Sequence, residues 1–296
     1  MVRTAQPHWG SLTRLPNPIA WGPLVAGSVI WLAAYTFLVL LWAESLRWWS
    51  ARLAPLPALR MFFLANLARY IPGGIWQFTG LAALALEQGI SPAAAAGAVL
   101  VQQLVLLATG LLFALVLAPA FLGPQLGALP PTVTGLAGAA GLAVLMIVFP
   151  WALPRLKGRL ERITGRPLPL PHASATGFAA YVAASALGWV AYGIAFWLFA
   201  RSLLGAAAPD PLTAGSAFVA SYVAGIVAIF APGGIVVREA ALVAALSPSV
   251  GAQQALLLAV GSRLWLTALE LCATITVLAG AARRNRDQAL RSTNTN

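Results

Sequence analysis

The sequence predicts an all-α protein: a polytopic membrane helix bundle with two re-entrant broken-helix hairpins arranged as an inverted repeat. Three observations predict it. The chain is 60% hydrophobic and only 8% charged, against about 25% charged residues in a soluble domain. Its apolar runs are rich in Ala and Leu and lack the period-two alternation of a barrel strand. The tetrapeptide Pro-Gly-Gly-Ile occurs twice inside apolar text, at Pro72–Ile75 and Pro232–Ile235. Pro removes a backbone donor and the glycine pair removes side-chain cover, so a helix breaks there. Broken backbone at membrane depth is tolerated only against protein or a watery cavity, and paired breaks in two halves of a chain point to a transporter-like site.

The elements follow in order. Met1–Ile19 is a long polar start and does not read as a cleavable signal peptide, because a full-length span follows it directly. Residues 20–43 form that span, and a basic aromatic flank follows with Arg47, Trp48, Trp49, Arg52 and Arg60. Residues 57–70 and 75–87 are each shorter than the roughly 20 residues a span needs, so 57–87 reads as a hairpin that enters and leaves on one side. Ser91-Pro92 reads as an N-cap with Pro at the first helical position, opening a span to about residue 118. Residues 132–151 and 174–200 are further spans, separated by the basic loop 152–170. Residues 212–230 approach the second break, 235–246 form a short helix, and 250–280 form the last span before a basic tail at 281–296. All 296 residues read as one transmembrane domain, with repeat halves at about 51–119 and 211–279.

Charge orients this plan. With both broken segments non-crossing, 44–60, the loop 152–170 and the tail share one side and hold three, five and four basic residues, against Arg3, Arg14 and Arg201 opposite. The positive-inside rule then puts the C-terminus in the cytoplasm and the N-terminus outside; the Arg-rich, Lys-poor, Ala-rich text suggests a bacterium, and so a bacterial cytoplasmic membrane. The net charge of +11 reads as anchoring beside an anionic leaflet rather than as a nucleic-acid surface. The lone Cys272 permits no internal disulfide, and two separated histidines, His8 and His172, offer no metal site. The aromatic residues Trp42, Trp48, Trp49 and Trp151 read as an interfacial belt.

The two breaks lie 160 residues apart. At that offset Leu86 meets Leu246, Leu104 meets Leu264, Phe78-Thr79 meets Arg238-Glu239, and Gln102-Gln103 meets Ser262-Arg263. Three spans separate the hairpins, so the halves are expected to be inverted and to serve a site reached from both faces.

Charges inside apolar segments are few: Arg69, Arg238, Glu239, Arg263 and Glu270, with Glu44 near a span end. Each costs several kcal/mol in the bilayer without a partner or polar cavity. Glu239 can pair with Arg69 or Arg263, and Arg263 and Glu270 share a helix face. Glu44 and Arg47, three apart, can pair with each other. One reading is charge pairing that holds the bundle. The other is that Arg69, Arg238 and Arg263 bind a phosphate-bearing head group, aided by Gln77 and by the exposed backbone at Gly73, Gly74, Gly233 and Gly234 behind the breaks at Pro72 and Pro232. Glu239, Glu270 and Glu44 are charge partners or proton-coupling groups. Asn66, Gln77, Gln102 and Gln103 either bind a head group or join helices. No catalytic constellation and no cofactor motif occurs, so the chain is not read as an enzyme.

The runs Asn66-Leu-Ala-Arg-Tyr-Ile-Pro-Gly-Gly-Ile-Trp-Gln77 and Ala231-Pro-Gly-Gly-Ile-Val-Val-Arg-Glu-Ala240, with Glu44–Trp49 and Arg263–Glu270, resemble the lysylphosphatidylglycerol synthase transmembrane family. That family is related to the membrane half of the bacterial multiple peptide resistance factor. The resemblance covers about residues 20–280. It implies a flippase-like fold with re-entrant helices, without the soluble synthase domain of the fused members and without their additional span before residue 20. The function expected is binding or translocation of an anionic lipid: a phospholipid, an aminoacyl-phosphatidylglycerol or a polyprenyl-phosphate type. The alternative is a non-transporting scaffold, as a homodimer or beside a cell-envelope enzyme. A lipid-modifying enzyme is a third and weaker reading.

Overall fold

The computed structural model describes residues 18–68, 76–122, 171–228 and 234–293, with isolated positions at 133, 136, 141 and 162. Of Gln77, Phe78, 115–122 and 281–293 only the backbone is described. The expected span 132–151 and the basic loop 152–170 therefore lie essentially outside the described residues, with Trp151 among them.

Every regular element described is helical. Helix α1 is Trp21–Ser45, followed by a 3-10 turn at Leu46–Trp49. Helix α2 is Pro55–Leu67, with Pro at its start, and α3 is Trp76–Glu87. Helix α4 is Pro92–Leu122 and α5 is Ala175–Leu204. Helix α6 is Pro211–Val227, α7 is Val237–Val250 and α8 is Ala252–Thr293.

Local chemistry sets these starts. The Ser91 hydroxyl accepts the Ala94 N–H at 3.1 Å, as the Ser91-Pro92 text predicts. Ser174 does the same for Gly177 at 3.0 Å. The Asp210 carboxylate accepts the N–H groups of Leu212 and Thr213, with Pro211 at the first helical position of α6.

Four helices among the described residues are long and apolar enough to cross a membrane, over Trp21–Trp49, Pro92–Ala114, Ala175–Ala207 and Ala252–Gly280. Their outer faces confirm the solvent. Leu187, Val190 and Ile194 lie exposed along α5, and Leu256, Val260, Leu264, Leu271 and Ile275 along α8. Continuous apolar stripes of this kind suit acyl chains and would be a liability in water. The chain is a multi-pass membrane protein.

Inside the bundle, small residues let backbones approach, since lipid supplies no hydrophobic drive between helices. Helix α1 runs along α5. A Cβ on Gly27 would lie 2.9 Å from the Ala195 carbonyl oxygen, and one on Gly188 would lie 3.0 Å from Leu38. The Ala20 N–H donates to the Ser202 carbonyl at 2.9 Å. Helix α6 sits against α4, α5 and α7, crossing α5 where Gly193 meets Gly215. The Trp189 indole N–H donates to the Thr109 hydroxyl at 3.1 Å, tying α5 to α4.

One aromatic reading is corrected. Trp42 is fully buried and its ring lies 5.4 Å from Phe62, so it is a core residue and not part of an interfacial belt. Trp48 packs on Tyr181 at 5.1 Å, while Trp49 is half-buried against Gly97.

Two stretches of the chain show the same order of helices. In each, a pair of short helices around an interruption leads into a long helix. The ends Leu67 and Val227 are 160 residues apart, as are the starts Pro92 and Ala252. The packing is reciprocal as well. Helix α2 of the first half packs on α8 of the second, and α6 of the second packs on α4 of the first.

Candidate functional site

The site is built at the interruption between α6 and α7. One face of α6 presents Phe218, Tyr222 and Gly225, spaced four and three residues apart so that they stack along the helix. The chain beyond α6 returns at Gly234, whose φ is +66°. A Cβ there would lie 2.8 Å from the Gly225 Cα and 3.0 Å from its carbonyl oxygen. The second break is therefore closed glycine against glycine, backbone on backbone.

Two residues on, Val236 has φ +73° and ψ −48°. This γ-turn region is strained, and more so for a β-branched side chain. Its N–H is held by the Glu239 carboxylate at 2.7 Å. That contact is half of a capping box, since Val236 has no side-chain acceptor to complete it. It also places a carboxylate in the first turn of α7, where the helix dipole favours negative charge.

The two arginines are held differently. The Arg238 guanidinium lies over the Tyr222 ring at 4.5 Å and the Phe218 ring at 5.0 Å. Aromatic faces stabilise a cation by about 0.5–2 kcal/mol when it is partly desolvated. A Cβ on Gly225 would lie 3.3 Å from the Arg238 Cβ, so a residue larger than Gly at that position would crowd Arg238. Arg263, from α8, faces Glu239 across 3.8 Å, and both side chains are about one-fifth exposed, at 19% and 21%. Glu239 thus pairs with Arg263, one of the two partners its sequence position allows. Glu270 is buried two turns further along α8.

Other expected residues fall elsewhere. Glu44 pairs with Arg47 at 2.6 Å in an exposed contact at the end of α1, outside the notch. Gln102 is buried and donates to the Leu38 carbonyl at 2.8 Å, so it joins α4 to α1. Asn66 donates to the Tyr35 hydroxyl, joining α2 to α1. Arg69, Pro72, Gly73, Gly74, Pro232 and Gly233 lie outside the described residues, and so does the side chain of Gln77. Beside the first break, Trp76 is about half exposed.

Sequence reasoning missed Phe218, Tyr222 and Gly225. Their four-and-three spacing, ending just before a break, is the signal that could have found them.

Chemically, the notch gathers two guanidiniums and one carboxylate within apolar helices. It can hold an anion through fork-like N–H donors. Among the described residues there is no group of His, Cys, Asp and Glu able to hold a metal ion.

Long apolar helices, paired short helices around an interruption and a charged notch define a polytopic α-helical membrane protein with a polar site inside the bundle. The chain belongs to the family described as the lysylphosphatidylglycerol synthase TM region, whose model matches residues 8–273. The family links it to lipid handling at the membrane. No curated protein compared with the chain matches it.

Proposed function

We propose that the protein binds an anionic lipid by its phosphate at the notch between α6, α7 and α8, and moves it between leaflets. The observation that carries this reading is the gathering of Arg238, Glu239 and Arg263 where α7 restarts after the break. A charge cluster of this kind is costly in lipid unless it serves structure or a polar ligand. It carries more cationic than anionic groups, and it stays partly accessible.

The lengths of the paired helices support re-entry. Helices α2 and α3 have 13 and 12 residues, and α6 and α7 have 17 and 14, each below the roughly 20 needed to cross. The matched helix ends and reciprocal packing support a repeat. In this reading the halves are inverted, Arg69 and the first glycine pair serve the same ligand, and the C-terminus lies in the cytoplasm. In this reading the activity is transport or binding rather than chemistry.

Reconstitution into liposomes with acyl-labelled fluorescent phosphatidylglycerol, phosphatidylcholine and a polyprenyl phosphate tests it. Protein-dependent exchange of an anionic lipid, reduced in Arg238→Gln and Arg263→Gln, is expected. Exchange of no anionic lipid would leave a non-transporting scaffold as the better reading.

A further inference from the structure

We propose that Glu239 is the notch's resident counter-anion: it occupies Arg263 until a ligand phosphate takes that guanidinium, and its displacement is passed to the backbone of the break. This rests on the anionic-lipid reading above and assigns Glu239 as a positioning residue for that ligand.

The geometry of one carboxylate carries the argument. Its Oε2 accepts the Val236 N–H at 2.7 Å. Its Oε1 faces Arg263 Nη1 at 3.8 Å. The first is a short charge-assisted hydrogen bond. The second is an ion pair beyond hydrogen-bond length, and so the weaker of the two. Both side chains are partly exposed, so a second anion can reach the guanidinium. A phosphate offers two oxygens to the planar fork of Arg263 at hydrogen-bond distance, which a single carboxylate oxygen at 3.8 Å does not match. Arg238 is fixed by its two rings and by Gly225 beneath it. The exchangeable contact is therefore the one at Arg263.

Displacement has a second effect because the carboxylate does two jobs. Strained backbone persists only where its surroundings over-determine it. Val236 is such a position, and Glu239 holds its N–H. When Arg263 turns to a ligand, Glu239 loses one of its two anchors and the start of α7 loosens. Gly234, packed against Gly225 two residues earlier, is the part of the break that this motion reaches first.

The test uses the full chain in detergent and titrates dihexanoyl-phosphatidylglycerol, with dihexanoyl-phosphatidylcholine as the uncharged-net control. Glu239→Gln keeps an oxygen for the Val236 N–H and removes the charge. It is expected to tighten phosphatidylglycerol binding about fivefold, the scale of a partly exposed ion pair, with phosphatidylcholine unchanged. Arg263→Gln is expected to weaken phosphatidylglycerol binding. The double variant is expected to bind no tighter than Arg263→Gln alone, since the gain needs the guanidinium. A purely structural pair would give no gain in affinity. If Arg263→Gln weakens binding while Glu239→Gln leaves it unchanged or weaker, the counter-anion role is overturned and the anionic-lipid reading stands. If neither Arg238→Gln nor Arg263→Gln changes phosphatidylglycerol affinity, both are overturned. Should Glu239→Gln fail to give monodisperse protein, Glu239→Asp takes its place. Its shorter carboxylate retreats from Arg263, and the same gain at a smaller factor is expected; no gain overturns the role.

Discussion

Gly234 lies so close to Gly225 that an added Cβ would sit 2.8 Å from the Gly225 Cα, and Gly234 also has a positive φ of +66°. Gly234→Ala therefore meets two penalties, a clash with backbone that cannot swing aside and a left-handed conformation costing about 1–2 kcal/mol. Gly225→Ala meets a milder contact, with the Arg238 Cβ at 3.3 Å, and no left-handed backbone. In thermal unfolding of purified protein, Gly234→Ala is expected to lose the more stability. Equal losses would show that the backbone conformation at Gly234 carries no cost.

Val236 makes the opposite prediction. Its φ of +73° is unfavourable for a β-branched residue. Val236→Gly is expected to raise stability by about 1 kcal/mol through relief of that strain, offset in part by the greater freedom of Gly in the unfolded chain. A lower melting midpoint in Val236→Gly would contradict the strain at this turn.

Gln102 separates packing from ligand binding. It is buried and its amide bonds the Leu38 carbonyl. Gln102→Leu is expected to cost about 1 kcal/mol of stability and to leave anionic-lipid binding at the wild-type level, unlike Arg263→Gln. A selective loss of lipid binding in Gln102→Leu, at wild-type stability, would move Gln102 into the site.

Topology can be read with single cysteines in a Cys272→Ser background. The His172 N–H donates to the Trp48 carbonyl at 2.7 Å, so Arg52→Cys and His172→Cys are expected to label from one side. Ala206→Cys lies beyond the other end of the 30-residue α5, about 45 Å away along the axis, and is expected to label from the opposite side. With the positive-inside rule, an impermeant maleimide reaches Ala206→Cys in intact cells and the other two only after permeabilisation. Labelling of all three from one side would refute the crossing by α5.

Asp210 gives a pH dependence. Hydrogen bonding to the Thr213 side chain, joined by the backbone N–H groups of Thr213 and Leu212, holds its carboxyl below the usual carboxylate value. Its folded-state value is thus depressed. The stabilisation is fully present above the ordinary Asp value of about 3.9 and is lost as pH falls through the lower folded value. Asp210→Ala is expected to lower stability by about 1 kcal/mol at neutral pH, the usual cost of a lost cap, with the difference from wild type closing at strongly acidic pH. A difference that persists undiminished in acid would assign the cap to something other than the carboxylate charge.

Much of the helix plan was legible because it rests on local chemistry. Ser91-Pro92 opens α4 as a cap and a first-turn proline must, and the second Pro-Gly-Gly-Ile falls in the interval between α6 and α7. The charges were legible as a short set, since ionised groups are rare in apolar text, and Glu239–Arg263 and Glu44–Arg47 were each among the few pairings available. Orientation within the bundle was not legible. A membrane residue facing lipid and one facing a neighbouring helix meet equally apolar surroundings, so periodicity carries little information about which is which. Trp42 therefore read as an interfacial residue and proved to be core. The same blindness hid Tyr222 and Phe218, whose meaning depends on an arginine 16 to 20 residues later turning back over them.

The pairing of α1 with α5 constrains how the protein is made. The surface of α1 that carries Gly27 and Leu38 has its partner on a helix that begins 130 residues after α1 ends. At roughly 5–20 residues per second, the ribosome takes on the order of ten seconds to supply it. During that interval α1 must lodge in the bilayer without α5, which it can do because no charged side chain lies between Trp21 and Ala43. Insertion and assembly are thus separate events for this helix. A bulky residue at Gly27 would pass the first unnoticed and fail at the second, leaving a chain threaded through the membrane in which α1 never finds its place.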